Sequence, residues 1–168
     1  MKVCVVGQKK AGKSCFVRRA VLNKFYDRLL DEHNVSVYNK NFIGVEMEIW
    51  DPSTSEQQNT VLQGSQAIII VYDASQLVYS ATTVDLLQYL QLELDHLKKT
   101  IVPRPLLVVV GTKSDLYPCL HLQDIVRWCD EKMVRHFLVS ARFDDIYAVC
   151  RVFRYIATTR NKTCCAIV

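Results

Sequence analysis

Residues 7–14 read Gly-Gln-Lys-Lys-Ala-Gly-Lys-Ser, a full match to G-x-x-x-x-G-K-[ST], directly after the apolar run Val3-Cys4-Val5-Val6. In such a loop the glycines let the backbone wrap closely around phosphate oxygens. The lysine ammonium reaches the β- and γ-phosphates as a point charge, and the hydroxyl that follows can ligate Mg²⁺. The context supports this chemistry. A short β-branched run reads as a buried strand, and the amphipathic stretch 14–22 reads as a helix whose first N–H groups have no partner within the helix. The alternative, a glycine turn before an ordinary surface helix, is disfavoured by both flanks. Gly7, Lys9, Lys10, Ala11, Gly12, Lys13, Ser14 and Cys15 are therefore the expected phosphate-binding residues, and a nucleoside triphosphate is the expected ligand.

A second constellation concerns the base. The apolar run at residues 106–110 is followed by Gly111-Thr112-Lys113-Ser114-Asp115. A carboxylate at a strand's end can accept two hydrogen bonds from a base with adjacent N–H and NH₂ donors. Guanine has that edge, whereas adenine presents an acceptor there. Lys113 can lay its aliphatic stem along the ring. T-K-x-D is a weak string alone, but Ser140-Ala141-Arg142 follows the next helix and strand, where its backbone could meet the guanine oxygen.

With these motifs in this order the chain resembles the Ras-like small GTPases, and the strings Ile49-Trp50-Asp51 and Ile70-Val71-Tyr72-Asp73 lean toward Rab proteins. The resemblance covers essentially the whole chain. The 27-residue interval from Lys113 to Ser140 lacks room for the extra helix of Rho proteins, although Thr112-Lys113 is a Rho-flavoured variant. The resemblance implies an α/β P-loop NTPase fold, a mainly parallel sheet of about six strands with helices on both faces. It implies GTP/GDP and Mg²⁺ as ligands, with effector and exchange-factor proteins as partners. Guanine binding maps to Phe25, which falls where the family sets an aromatic edge against the base, and to Thr112, Lys113, Asp115, Ser140, Ala141 and Arg142. Metal binding maps to Ser14, Ser36 and Asp51.

The departures from the family cluster at the hydrolytic end. Where the family continues Trp-Asp with Thr-Ala-Gly-Gln, this chain follows Asp51 with Pro52-Ser53-Thr54-Ser55-Glu56. Thr54 replaces the glycine whose N–H meets the γ-phosphate. Ser55 stands at the position of the glutamine that orients the attacking water, and it is too short for that task. Gln57 and Gln58 are the weak alternative candidates, reachable only by a different loop path, because in-line geometry tolerates little displacement. Lys9 and Lys10 occupy positions that are commonly small, where a long cation can pair with phosphate or block an arginine finger. In the first switch, Asp31-Glu32-His33-Asn34-Val35-Ser36-Val37 resembles Asp-Glu-Tyr-Asp-Pro-Thr-Ile, with Ser36 supplying the donor and acceptor of the usual threonine. Drift and selection against turnover both account for the pattern, and both imply slow GTP hydrolysis.

The elements that position these residues alternate along the chain. Strands are expected over 2–6, 35–39, 43–50, 67–72, 106–110 and 136–139, and helices over 13–22, 83–100, 122–133 and 145–159. Leu86, Leu90, Leu94 and Leu97 recur at helical spacing, and Pro103 and Pro105 bar any continuation of that helix. Residues 51–66, rich in Ser, Thr and Gln, read as a loop with at most a turn of helix. Strands alternating with helices imply a mainly parallel sheet covered on both faces, with ligands at the carboxyl ends of its strands.

Bulk properties bound the rest. With 168 residues, half of them hydrophobic and 23% charged, the chain suits one globular domain. The N-terminus reads as no signal peptide and no apolar run approaches the ~18 residues of a membrane helix, so the expected location is cytosolic. Cys4, Cys15, Cys119, Cys129 and Cys150 sit in or beside apolar periodic segments and read as small hydrophobes without zinc-site spacing. The net charge of +4 resides in residues 151–168, which carry Arg151, Arg154, Arg160 and Lys162 and no acid, while the other 150 residues balance 17 basic against 17 acidic side chains. With no basic–aromatic stripe elsewhere, nucleic-acid binding is not expected. The sequence divides into an expected GTPase domain over 1–159 and a short basic tail over 160–168. That tail closes with Cys164-Cys165-Ala166-Ile167-Val168, in which Cys165 opens a C-a-a-X prenylation box and Cys164 can take a second lipid. A prenyl transferase is then a further partner, and the cytosolic face of a cell membrane the expected site of action. A helix ending near Thr159 would leave about five residues, ~17 Å at full stretch, before Cys164.

Overall fold

The two longest apolar runs, at residues 67–72 and 106–110, pair side by side within a six-stranded sheet. The computed structural model describes the backbone of residues 1–26 and 34–165, with side chains through residue 160. Asp31, Glu32 and His33 of the first switch and the box residues Ala166, Ile167 and Val168 lie outside the described residues. The strands are β1 (Lys2–Gly7), β2 (Ser36–Phe42), β3 (Val45–Asp51), β4 (Ala67–Asp73), β5 (Leu106–Thr112) and β6 (Arg135–Leu138), in the order β2-β3-β1-β4-β5-β6. All neighbours are parallel except β2 and β3. The helices are α1 (Lys13–Leu22), α2 (Ser55–Val61), α3 (Ser80–Thr100), α4 (Leu122–Glu131) and α5 (Ile146–Cys165). This is the α/β fold expected of a P-loop NTPase.

Alternation along β1 divides the core. Val3 and Val5 face α1 and α5 with Phe16, Val71 and Phe153, while Cys4 and Val6 face Ile68, Ile70 and the leucines of α3. Phe153 anchors α5 by stacking on Phe16 at 5.4 Å and on Phe42 at 4.9 Å between ring centroids. Leu86, Leu90, Leu94 and Leu97 are all buried, each contributing about 1.5–3 kcal/mol relative to exposure. Cys4, Cys129 and Cys150 are buried and Cys15 and Cys119 half-buried, and no cluster of metal-ligating side chains occurs among the described residues.

Three of the departures from the expected limits have a clear local reason. Strand β2 runs on to Phe42 because the reversal is a two-residue turn, Ile43-Gly44, with φ of 52° and 79°. Such paired left-handed residues match the twist of a hairpin. Residues 55–61 form a true helix, started by a reciprocal cap between Thr54 and Gln57. Helix α5 passes Thr159 without a break, because residues 146–165 hold neither Gly nor Pro and the Arg160 guanidinium ties the helix to the Gln66 carbonyl at 2.8 and 3.1 Å. The stretch from Thr159 to Cys165 is thus helical, about 9 Å long at 1.5 Å per residue, in place of an extended linker.

At the β4–β6 end of the sheet the Tyr72 hydroxyl meets His136 Nε2 at 3.0 Å beneath Gly111, where a Cβ would come within 2.6 Å of the tyrosine ring. Burial pushes the His136 pKa down to about 4, aided by Arg135 and opposed by Asp130, so the imidazole is neutral at neutral pH. Its folded pKa lies below its ordinary value of about 6.5, so the unfolded chain binds more protons between the two. The associated stability is fully present above pH ~6.5 and is lost as pH falls toward ~4, up to about 3 kcal/mol. Urea unfolding across that window should show this loss in the wild type and a flatter profile in His136→Gln.

Candidate functional site

The phosphate-binding loop begins where β1 runs out of side-chain space. A Cβ on Gly7 would lie 2.1 Å from the Val71 carbonyl oxygen, so only glycine lets β1 pass β4 at that point. The loop turns through a left-handed Lys10 (φ 63°) and closes at Gly12 (φ 85°), the N-cap of α1. Ala11 is buried beneath it, and Lys9 and Lys10 are exposed. Lys13 is buried, and its ammonium donates to the Gly7 and Gln8 carbonyls, both at 2.9 Å, spanning the loop it follows. Burial lowers its pKa, and the Asp51 carboxylate works against that shift. Ser14 and Cys15 are half-buried in the first turn of α1.

The end of β5 is docked directly on this loop. The Thr112 hydroxyl, with one proton to give, sits between the Ala11 carbonyl and the Tyr72 carbonyl, the latter at 3.1 Å. Thr112 is buried, so its side chain joins the two halves of the site. Lys113 is left-handed (φ 58°), its stem lies near Gly12, and its ammonium meets Asp73 at 2.7 Å. Asp73 in turn accepts from the Ser75 N–H and hydroxyl. Asp115 is exposed one turn further on, and Phe25 is half-buried beyond α1. Ser140 is buried in a turn built by Asp144. Its N–H donates to that carboxylate at 2.8 Å, and its hydroxyl accepts from the Phe143 N–H at 3.0 Å. Ala141 is buried, and Arg142 is exposed with its guanidinium over the Phe143 ring. Asp73 and Asp144 are thus supporting residues that the motifs alone did not single out. Asp73 lies within the Rab-like string but 40 positions from its lysine, beyond any local spacing.

On the switch side, Ser36 and Asp51 are register partners across the β2–β3 pair, and Asp51 is buried. The two glutamines after Ser55 separate clearly. Gln57 is committed to the helix cap, its Oε1 accepting from the Ser53 and Thr54 N–H groups at 3.0 and 3.2 Å. Gln58 instead reaches the phosphate-binding loop, where its carboxamide accepts from the Gly7 N–H at 3.3 Å and donates to the Gly7 carbonyl at 3.2 Å. Ser55 is exposed at the first position of α2.

Comparison with known proteins gives the family. Residues 2–115 match the family model described as Ras of Complex, Roc, domain of DAPkinase. The chain is 26% identical to the Ras-related protein Rab-7b of Mus musculus over 180 aligned positions, covering 96% of this chain and 87% of that protein. It is 29% identical to Rab-7b of Bos taurus, covering 86% and 74%. It is 26% identical to the Ras-related protein SEC4 of Saccharomyces cerevisiae, covering 69% and 54%.

The tie between β5 and the loop is testable without disturbing packing. Thr112→Val keeps the volume but removes the one buried hydroxyl proton that the Ala11 and Tyr72 carbonyls compete for, so it should lower unfolding stability by about 1–3 kcal/mol. Thr112→Ser retains the hydroxyl and should lose less of it, as read by urea denaturation of the two variants side by side.

Proposed function

Because the chain belongs to the Ras-like small GTPases, with Rab proteins among its relatives, we propose that it acts as a membrane-anchored GTP switch in vesicle traffic or signalling, with slow intrinsic hydrolysis. The observation that carries this reading is the docking of Thr112, at the head of the T-K-x-D string, onto the backbone of the phosphate-binding loop. That contact joins a base-selecting segment to a phosphate-selecting one. Lys13 and the loop N–H groups neutralise the phosphates, Lys113 and Asp115 select guanine, and the Ala141 backbone faces the base oxygen. Ser14, Ser36 and Asp51 offer hydroxyl and carboxylate oxygens, the hard donors that suit Mg²⁺. When bound, that ion neutralises charge on the β- and γ-phosphates. Ser36 and the residues before it would report the γ-phosphate to effectors, and exchange factors would act on the same loops.

The side-chain arrangement of residues 54–58 supports slow turnover. Ser55 is too short to orient water, Thr54 and Gln57 are engaged in capping α2, and Gln58 is bonded to Gly7. A second reading, an interaction module with structural or no nucleotide, draws on the fact that Lys13 and Gln58 both satisfy themselves on the loop backbone. Chromatography of nucleotide released from freshly purified protein separates the two: bound GTP or GDP supports the switch, and none supports the module.

Nucleotide chemistry should follow Asp115 and the missing glutamine together. GTP should bind far more tightly than ATP, and Asp115→Ala should cost several kcal/mol of guanine affinity by leaving two buried donors unpaired. Single-turnover hydrolysis should run at or below roughly 10⁻⁴ s⁻¹, and Ser55→Gln alone should not restore it. Fast wild-type turnover that disappears in Gln58→Ala would instead assign water positioning to Gln58.

The anchor reading rests on the Cys-Ala-Ile-Val string that Cys165 opens, and on Cys164 as a second acceptor. No described helix is long and apolar enough to cross a membrane. A prenyl chain buries many CH₂ groups at ~0.8 kcal/mol each, against about 1 kcal/mol for each basic residue near an anionic leaflet. Cys165→Ser expressed in a eukaryotic host should therefore lose both the prenyl mass and membrane retention, while Cys164→Ser should only weaken retention. An unmodified wild-type mass would reject the anchor.

A further inference from the structure

A groove of about 490 Å³ opens along edge strand β6 where the outer face of α5 crosses it. Arg135 and Phe137 line it from the strand, and Arg151, Arg154 and Tyr155 line it from the helix, with no Asp or Glu among the lining residues. The Arg135 guanidinium lies 5.7 Å from the Phe137 ring centroid and 6.0 Å from that of Tyr155, and the Arg151 guanidinium lies 5.9 Å from Phe137. The two rings meet edge to face at 5.6 Å. Two of the three arginines are thus held on an aromatic floor, which restricts their rotamers before any ligand arrives. All three are exposed, and none has a carboxylate within ion-pair distance among the described residues.

Three like charges in one concavity with no carboxylate among the lining residues repel one another and focus a positive potential. The balance calls for a ligand that brings several negative charges at once. Planar guanidiniums pair with phosphate oxygens two at a time, a geometry that lysine cannot supply. Helix α5 continues from the groove to Cys165, and at 1.5 Å per residue Thr158 and Cys165 stand about 10 Å apart along the axis. We propose that this groove binds the clustered phosphomonoesters of a phosphoinositide headgroup, so that the β6–α5 face is the one turned to the bilayer. The choice of a lipid as the phosphate bearer rests on the anchor reading. The pairing of the arginines with clustered phosphates does not.

The test uses the full chain made in bacteria, without prenylation, so that it is independent of the anchor. Sedimentation with phosphatidylcholine vesicles containing a few per cent phosphatidylinositol bisphosphate should retain the protein. Vesicles brought to the same charge with phosphatidylserine should retain it far less. The triple variant Arg135→Gln/Arg151→Gln/Arg154→Gln should lose roughly a hundredfold in vesicle affinity, the product of three basic residues at a charged surface. The corresponding triple lysine variant keeps every charge and stem, and it should still lose several-fold because the forked donors are gone. Bound guanine nucleotide and circular dichroism report whether each variant is folded. Equal binding to the phosphatidylserine vesicles, or a lysine variant indistinguishable from wild type, overturns the headgroup site. Binding of soluble inositol trisphosphate that the glutamine variant loses, without any vesicle binding, overturns the lipid as its source.

Discussion

The site depends on one place where two backbones touch. At Gly7 the first strand passes so close to β4 that a single methyl group would sit 2.1 Å from the Val71 carbonyl oxygen. A hydrogen in place of that methyl is the condition for everything that follows along the chain. It brings the Gly7 carbonyl to the Lys13 ammonium and to the Gln58 carboxamide, so one carbonyl receives both the lysine that opens α1 and a side chain of α2. The opposite wall is set by a similar economy of space at Gly111, where the Tyr72 ring occupies the volume of a side chain. Two glycines on the strands that flank β4 therefore hold the carboxyl ends of the sheet close enough for Thr112 to reach Ala11.

Much of the fold was legible because its signals are local. The continuous apolar runs of β4 and β5 and the leucine spacing of α3 each require burial on specific faces, and the structure buries them there. Helix α2 was less legible, since of its residues only Val61 is buried and the segment reads as polar loop. Its one local mark was Thr54 with Gln57 three residues on, the spacing of a reciprocal N-cap. The far end of α5 was hidden for a related reason: beyond Ala157 the apolar stripe stops, and continuation depends on the absence of breakers and on Arg160 reaching Gln66 across 94 positions. In the site, the loop residues were legible as a motif, whereas the partners that hold them were not. Asp73 under Lys113 and Asp144 under Ser140 follow from tertiary placement and from a turn geometry that no spacing rule for nucleotide sites contains.

The departures in the second switch are consistent with one another once the helix cap is considered. Thr54 and Gln57 satisfy four backbone and side-chain groups at the start of α2, and a residue spent in that way cannot also present its N–H to a phosphate. On the alignment that sets position 54 against the family's glycine and position 55 against its glutamine, both departures coincide with the start of a regular helix. Position 58, one turn into that helix, is consequently the first from which a long carboxamide points back at the phosphate-binding loop.

The bonds that close the loop on itself are of the kind a phosphate can displace. A neutral hydrogen bond contributes about 0.5–1.5 kcal/mol net, and one to a charged group about 1.5–3 kcal/mol. Lys13 holds two carbonyls, which are weaker partners for an ammonium than phosphate oxygens, and burial further lowers the stability of its charge in that setting. An anion entering the loop would both take over these bonds and offset the cost of burying the ammonium. Gln58 has no such gain to make, since its amide is neutral and already pairs with both polar groups of Gly7. Phosphate entry is thus expected to release the lysine while leaving the glutamine clasp in place. Such a division would keep α2 tied to β1 and place the exchange of partners within the described loop on Lys13.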